Sequence, residues 1–482
     1  MIPVLACTLA LLAPQQDSSF SLTVERLHVG DGTVLENATV TIQDGRITAV
    51  VAGGESDGEA APSGAELTPG LVDAFSFMGI GNATLEQSRE TTASLRVADT
   101  ADLDDAAFRH AVEAGVTSAY LSPDSLNVFG GIGAFVKTSG GAPADLFADA
   151  GAAARMVEPV ASLKIVLGSD PSRGNFTPRG RFTTSFNQRR PNTRMGTVWV
   201  VRRDFYRAMD YRARKEAGEA LYDRDLEVLV AALEGRIPVR FQARRSHDLQ
   251  TALRLRDEFD LPNVLLEEAT EGHLAAEVVA AAGVPVVCGP AYDAVARAVA
   301  SGPSLAELRL LVDPPPVCCE DLHEEFGGEP VGEAHDHDGD LNPVALDLLL
   351  TLAPRYGAAS GVAPGRRTEG RNATPALAQL LAGAGVDFAL GGAEAHDDAL
   401  SEASLIHQAR TAVRWGLPAE QVLPLVTSRA AELCGRGDSV GRIEAGYDAD
   451  LVLWSGPPLD SASRPLLVIV DGRVVLDNRI DS

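Results

Sequence analysis

Short segments of alternating apolar and polar residues mark both ends of the chain. From Ser21 to Val50 they read SLTVERLHV, ATVTIQD and RITAVV, separated by Gly-Asp-Gly and Asp-Gly turns, which is typical of a small β-meander. The chain ends in the same style, with DADLVLWSG and then PLLVIVDGRVVLD around an Asp471-Gly472 turn. We expect residues of about 20–67 and 437–482 to complete one β-sandwich.

Between these segments, over about 68–436, Ala-rich helical stretches alternate with brief apolar strands such as GVTSAYLS, IPVRFQA and VDFALGG. Strands that alternate with helices predict parallel pairing and right-handed crossovers. The span has room for the eight units of a (β/α)8 TIM barrel, which needs ~250 residues plus insertions. No GxGxxG follows a strand, so the pattern favours the barrel over an open doubly wound sheet.

The length and net charge of the chain limit the domain organisation and the partners that can be expected. A chain of 482 residues exceeds what one core usually organises, which predicts a large domain and a smaller companion. The net charge of −26 repels phosphate backbones and anionic lipids, so a nucleic-acid partner is not expected. No apolar run after the N-terminus approaches the ~20 residues of a membrane span.

The first 19 residues contain a short apolar stretch, Ile2 to Ala13. Its length suits a signal peptide and favours export to the periplasm or the exterior. No Lys or Arg precedes it, so the alternatives are a disordered tail or a misplaced start codon, with the protein then in the cytoplasm.

Two internal segments stand apart by charge. Arg173 to Lys215 carries eleven Arg and one Lys against two Asp, and Glu320 to Asp340 carries nine carboxylates without Lys or Arg. Each is typical of a solvated surface. Alternatively, they face each other or a partner, or the arginines receive an anionic ligand. The acidic insertion, about 318–342, also contains His323, His335 and His337. These histidines suit a specific Zn²⁺ site. Alternatively, they bind metal ions opportunistically at the surface.

Several fragments carry a family resemblance. LTPGLVDAFSFMG, Leu67 to Gly79, resembles the amidohydrolase signature, and the stretch from Ala114 to Gly140 is similar to the Gly-rich region of imidazolonepropionase-like amidohydrolases. The block from Thr193 to Gly196 and the closing VGRIEAGYDADLVLWSG fit the same subfamily. The resemblance implies a metal-dependent-hydrolase TIM barrel with a β-sandwich from both termini. It also implies zinc or another divalent metal and hydrolysis of carbon–nitrogen bonds.

The expected metal ligands are replaced. The family signature leads into His-x-His, where side chains at i and i+2 of one strand grip a metal together; this chain has Phe75 and Phe77. Further family positions differ as well: Ser169 replaces a carboxylate, Gln242 and Glu268 replace histidines, and Ala393, with Glu394 adjacent, replaces the Asp that activates water.

These replacements predict a pseudoenzyme that binds a small molecule or assembles as a homo-oligomer or with an active relative. Its pocket is expected around Phe75, Phe77, Gln242, Arg244 and Glu268, with Lys164 as a structural ion-pair partner. No metal or other cofactor is expected in the barrel.

Two alternatives remain open. The first is a working hydrolase of carbon–nitrogen bonds with a relocated site, in which an all-oxygen cluster holds a harder ion. Its candidate residues are Glu268, Glu394, His396 and Asp397. The second is a metal-handling exported protein that uses the histidines of the acidic insertion.

Overall fold

The computed structural model describes residues 20–53, 58–80, 84, 86, 88–140, 155–172, 175, 190–289, 372–392 and 404–479. These residues form two sheets, and each sheet contains eight strands. No helix among them is long and apolar enough to cross a membrane.

The strands follow one another along the chain in three groups. The first group is β1 (Phe20–His28), β2 (Val34–Gln43), β3 (Arg46–Ala52), β4 (Glu59–Ala60) and β5 (Glu66–Pro69). The second is β6 (Leu71–Ser76), β7 (Val116–Leu121), β8 (Phe129–Lys137), β9 (Met156–Val166), β10 (Val239–Ala243), β11 (Val264–Glu268), β12 (Val286–Cys288) and β13 (Phe388–Leu390). The third is β14 (Leu451–Trp454), β15 (Pro465–Val470) and β16 (Arg473–Asp477).

The described helices lie between the barrel strands or follow them. They are α1 (Ala106–Glu113), α2 (Arg194–Glu216), α3 (Arg224–Leu233), α4 (Ser246–Glu258), α5 (Ala276–Ala282), α6 (Leu377–Gly383), α7 (Ser404–Arg414), α8 (Ala419–Leu425) and α9 (Ser428–Leu433).

The second group of strands forms a nearly closed barrel in sequence order from β6 to β13. This confirms the predicted TIM-barrel class, with one departure. β8 is antiparallel to both β7 and β9, whereas the other neighbouring pairs are parallel. Only residues 122–128 separate β7 from β8, and a parallel crossover needs about a dozen or more residues. The short link therefore makes β8 run back beside β7.

The seam between the first and last barrel strands depends on small residues and one carboxyl group. A Cβ on Gly391 would lie 2.5 Å from the Cβ of Phe75, so only glycine permits this approach. Asp73 Oδ1 accepts hydrogen bonds from the amides of Gly392, at 2.8 Å, and Phe75, at 3.1 Å. Burial of Asp73 raises the pKa of its carboxyl to about 7, although both amides act in the opposite direction.

The two ends of the chain share the other sheet. Its order is β16-β15-β14-β5-β1-β2-β3, with β4 beside β1. β5 joins the two parts because it is parallel to β1 and antiparallel to β14. Strand β3 also reaches the segment before β14, since the amide of Ile47 donates to the carbonyl of Tyr447 at 2.9 Å. The sheet thereby encloses a separate apolar core that includes Leu22, Val40, Leu67, Leu451 and Leu467.

A buried ion cluster ties this sheet to the barrel. Lys137, at the end of β8, lies with its Nζ 2.6 Å from Asp450, 3.0 Å from Asp448 and 3.1 Å from Asp471. Burial alone would lower the pKa of Lys137, but the three carboxylates raise it above its ordinary value. The cluster explains the Asp448-Ala449-Asp450 motif, whose carboxylates hold a barrel lysine.

We predict that Lys137→Met strongly destabilises the protein. The change leaves Asp450 buried without its cation, which typically costs roughly 3–5 kcal/mol. Chemical denaturation measures the free energy of unfolding. Lys215→Met is the matched control, because Lys215 pairs with Glu227 at an exposed position, where ion pairs contribute little. Equal losses in the two variants would contradict the assigned role of Lys137.

A second prediction concerns Asp73 and pH. Because the folded state holds the Asp73 proton up to about pH 7, its contribution to stability is greatest at low pH. It declines as the pH rises from about 4 to 7, by on the order of 4 kcal/mol. Asp73→Asn removes this titration. The difference in unfolding free energy between wild type and Asp73→Asn should therefore fall over that interval and level off above it. Parallel stability profiles would show that Asp73 is not perturbed.

Candidate functional site

Alternation along β10 places polar side chains in the barrel interior. Val239, Phe241 and Ala243 belong to the apolar core that includes the surrounding helices. Successive strand residues point to opposite faces, so Arg240, Gln242 and Arg244 point the other way, and each is almost fully buried. Two guanidinium groups and an amide thus enter a region where water cannot satisfy them. Each needs a partner within the barrel.

Glu267 on β11 is the partner of Arg240. Its Oε1 accepts a hydrogen bond from Arg240 Nη1 at 2.9 Å, and its Oε2 lies 3.8 Å from Lys164 Nζ. All three side chains are at most 1% exposed. Arg240 also donates to the carbonyl of Ala74 at 2.9 Å and stacks 3.4 Å from the ring centroid of Tyr120. One carboxylate therefore holds cations from two neighbouring strands.

Lys164 lies against the two phenylalanines. Its Nζ is 5.3 Å from the ring centroid of Phe75 and 5.1 Å from that of Phe77, whose rings are themselves 5.2 Å apart. The amine donates to Ser122 Oγ at 2.9 Å and to the carbonyl of Pro123 at 2.7 Å. Burial lowers the pKa of Lys164, while Glu267 opposes that shift. The aromatic faces and the carboxylate together stabilise the ammonium form.

A second ion network lies around Arg244. Its Nη1 donates to Asp170 Oδ2 at 2.6 Å, and its Nη2 donates to Glu268 Oε1 at 3.1 Å. Arg244 Nε also donates to the other oxygen of Glu268, so this pair is bidentate. Gln242 joins the network, since its Oε1 accepts from Ser125 Oγ at 2.6 Å and its Nε2 lies 3.5 Å from Asp170 Oδ2.

Glu268 reaches Arg244 because its backbone leaves the regular strand. Strand alternation would point the side chain of Glu268 to the other face of the sheet from that of Glu267. Both carboxylates nevertheless pair with cations inside the barrel. Glu268 has a φ of 69° and Ala269 a φ of 44°, and the amide of Ala269 donates to the carbonyl of Glu267 at 2.9 Å. Left-handed backbone costs a non-glycine residue roughly 1–2 kcal/mol. This local strain accompanies the turn of Glu268 towards the site.

The structure brings together six of the residues that the sequence singles out: Phe75, Phe77, Lys164, Gln242, Arg244 and Glu268. Ser169 is only partly buried and accepts a hydrogen bond from Ser172 through its carbonyl, whereas the neighbouring Asp170 enters the network. The remaining candidates lie outside the described residues: Ala393, Glu394, His396, Asp397, His323, His335 and His337.

Sequence reasoning missed Arg240, Glu267 and Ser125. A signal for Arg240 was present, because polar residues at 240, 242 and 244 repeat with the period of a strand inside an apolar segment. Glu267 had no comparable signal. Two consecutive glutamates normally point to opposite faces, and only the backbone turn at Glu268 brings both into the interior.

These residues do not fit the divalent metal that the family signature implies. Zinc needs imidazole, thiolate or carboxylate ligands, and the signature positions hold phenyl rings. The carboxylates of the two ion networks already pair with cations of the chain itself. The two networks contain three cations, Lys164, Arg240 and Arg244, and three carboxylates, Asp170, Glu267 and Glu268. A divalent ion would have to displace the cations or remain close to them.

The described part of the Arg-rich segment is largely neutralised by this chain's own carboxylates. On α2, Arg202 pairs with Glu258 at 2.8 Å, Arg203 pairs with Glu90 at 2.5 Å, and Arg194 pairs with Asp248 at 3.2 Å. The acidic segment from 320 to 340 lies outside the described residues. An association between the two segments therefore stays a prediction.

Comparisons with known proteins agree with the fold. The model of the amidohydrolase family matches residues 344–475. The solved structure of an amidohydrolase from Thermotoga maritima MSB8 superposes with a TM-score of 0.69 at 25% sequence identity, and the alignment covers 95% of this chain and all of that one. The likeness therefore extends over both sheets.

Two curated proteins are similar in sequence. Amidohydrolase tasK of Hapsidospora irregularis is 25% identical over 442 residues, which cover 86% of this chain and 37% of that protein. A 5-methylthioadenosine/S-adenosylhomocysteine deaminase of Syntrophomonas wolfei subsp. wolfei is 27% identical over 236 residues, 40% of this chain and 52% of the deaminase. The aligned regions thus span about a third to a half of these relatives.

The family match at the C-terminal end, the barrel with its second sheet from both termini and the relatives agree with one another. This chain carries an amidohydrolase-family domain on the fold of the amidohydrolase superfamily.

Proposed function

We propose that this protein is a pseudoenzyme of the imidazolonepropionase-like subfamily. In this proposal it has kept the amidohydrolase barrel to bind a small polar ligand, or to act as a subunit beside an active relative, and has lost metal-dependent hydrolysis. The supporting observation is that Lys164 lies over Phe75 and Phe77, the signature positions, while its Nζ is 3.8 Å from Glu267.

This arrangement bears on function because hydrolysis in this family requires a bound metal ion. The family's route needs a metal ion that lowers the pKa of water from 15.7 towards ~7 and polarises the scissile carbonyl. Side-chain ammonium and guanidinium ions balance charge, but they offer no open coordination position for water. Glu268, the nearest candidate for a general base, accepts hydrogen bonds from Arg244 on both oxygens. It is held as an ion pair rather than directed at a water molecule.

In this proposal the ligand contacts Ser125 and Gln242. Their side chains are hydrogen-bonded to each other at 2.6 Å, and both types of group can donate and accept. This pair favours a ligand with adjacent donor and acceptor atoms, such as a small amide.

One observation favours the alternative of a relocated hydrolytic site. The backbone of Glu268 is strained, with a φ of 69°, and such strain often accompanies a functional side chain. The two curated relatives are an amidohydrolase and a deaminase by name. If the alternative is correct, Glu268 works as a base once a substrate releases it from Arg244.

We predict that the wild-type protein does not hydrolyse small amides. A panel of cyclic amides and aminoacyl-proline dipeptides should show no turnover above the buffer rate, with added zinc or with a chelator. Glu268→Gln should leave this baseline unchanged. The matched control is Glu277→Gln on α5, outside the ion networks. Turnover that is lost in Glu268→Gln and retained in Glu277→Gln would overturn the pseudoenzyme proposal and establish the relocated site.

A further prediction tests whether Lys164 takes the place of the metal. The double variant Phe75→His with Phe77→His restores two ligands but keeps the ammonium about 5 Å from them. Adding Lys164→Met removes the repulsion between this ammonium and a divalent ion. The triple variant should bind zinc at least roughly tenfold more tightly than the double variant in calorimetric titrations. Circular dichroism checks the folding of each variant. Equal affinities would show that Lys164 does not oppose metal binding.

A further inference from the structure

A second candidate site lies between the terminal sheet and the helices that follow the barrel. It is a pocket of about 400 Å³, within the range typical of small-molecule sites. One wall comes from β1, β2 and β5, another from α7 and α8, and a third from the loop 457–460. None of its lining residues belongs to the ion networks inside the barrel.

The polar end of the pocket is built around Glu66 on β5. Its side chain is only 6% exposed and pairs with Arg26 at 2.9 Å, while its other oxygen lies 2.6 Å from His28 Nε2. Arg26 is also 3.4 Å from Glu36, so two carboxylates share its charge.

The walls are fixed to one another before any ligand arrives. Thr427 and Ser428 both donate hydrogen bonds to the carbonyl of Gly30, at 3.1 and 2.7 Å, and hold the β1–β2 turn against the helices. Arg410 on α7 donates to the carbonyls of Pro458 and Ser463, at 3.3 and 2.7 Å, and holds the loop. A preformed pocket binds with a smaller loss of conformational entropy.

The remaining lining of the pocket combines apolar side chains with carboxylates. Val34, Val413, Leu423 and Leu459 provide an apolar surface, and Glu420 and Asp460 add carboxylates at exposed positions. Three carboxylates, those of Glu66, Glu420 and Asp460, are set against the guanidinium groups of Arg26, in the lining, and Arg410, which interacts with Asp460. The lining is therefore acidic, and the chain's net charge of −26 attracts cations in addition.

We propose that this pocket binds a small organic amine with an apolar body. The body packs on the valine and leucine side chains, and the ammonium group lies between Glu420 and Asp460. A carboxylate of the same size would meet the acidic residues, and Arg26 is already engaged by Glu66 and Glu36. The site is independent of the pseudoenzyme proposal, because it uses none of the barrel's interior residues.

The test uses the full chain with methyl-labelled valine and leucine, observed by NMR. Three probes of similar size are titrated: 2-phenylethylamine, 2-phenylethanol and 3-phenylpropanoate. The amine should shift the methyl signals of Val34, Val413 and Leu423, the alcohol should bind at least roughly threefold more weakly, and the carboxylate should not bind. Glu420→Gln with Asp460→Asn should reduce the affinity for the amine to that for the alcohol.

A pair of tryptophan substitutions controls for location. Ala419→Trp places a bulky ring in the pocket and should abolish the amine-induced shifts, whereas Ala213→Trp, at an exposed position of α2, should leave them unchanged. The proposal is wrong if the amine shifts none of the pocket methyls. It is equally wrong if the carboxylate binds as well as the amine, or if the shifts persist in Ala419→Trp.

Discussion

Charge balance inside the barrel is the constraint on which the rest of the site depends. Lys164, Arg240 and Arg244 are almost completely buried, and a buried cation without a counter-ion is costly enough to prevent folding. Each therefore needs a carboxylate, and Asp170, Glu267 and Glu268 supply them. Removing a charge from one set leaves its partner in the other set buried and unpaired, which is destabilising.

This constraint explains several local features together. Glu268 adopts left-handed backbone, and in that conformation its carboxylate accepts hydrogen bonds from Arg244. Phe75 and Phe77 provide aromatic faces for the ammonium of Lys164, which histidines bound to a metal would not offer. The interior charges of the two networks therefore balance one another.

The sequence predicted the barrel and a β unit shared by the two termini, because both depend on local patterns or on short motifs. The sandwich form of that unit and the replacement of the metal ligands stay predictions. β8 was not predicted as an antiparallel strand, although the seven-residue link before it would have been enough to exclude a helical crossover. The partners of Lys164 and Arg244 were harder to foresee. Pairing of Lys164 with Glu267 depends on strand register, and pairing of Arg244 with Glu268 depends on a backbone turn that no residue type at that position indicates. The pocket beside Glu66 was missed because its walls come from three distant parts of the chain.

The most direct test of this account is a crystal structure of the wild-type protein after soaking in zinc, with anomalous diffraction recorded at the zinc absorption edge. The account predicts no anomalous peak in the barrel interior and an unchanged Lys164–Glu267 pair. A peak within about 2.2 Å of a carboxylate oxygen of Glu267 or Glu268, with Lys164 or Arg244 displaced, would contradict it.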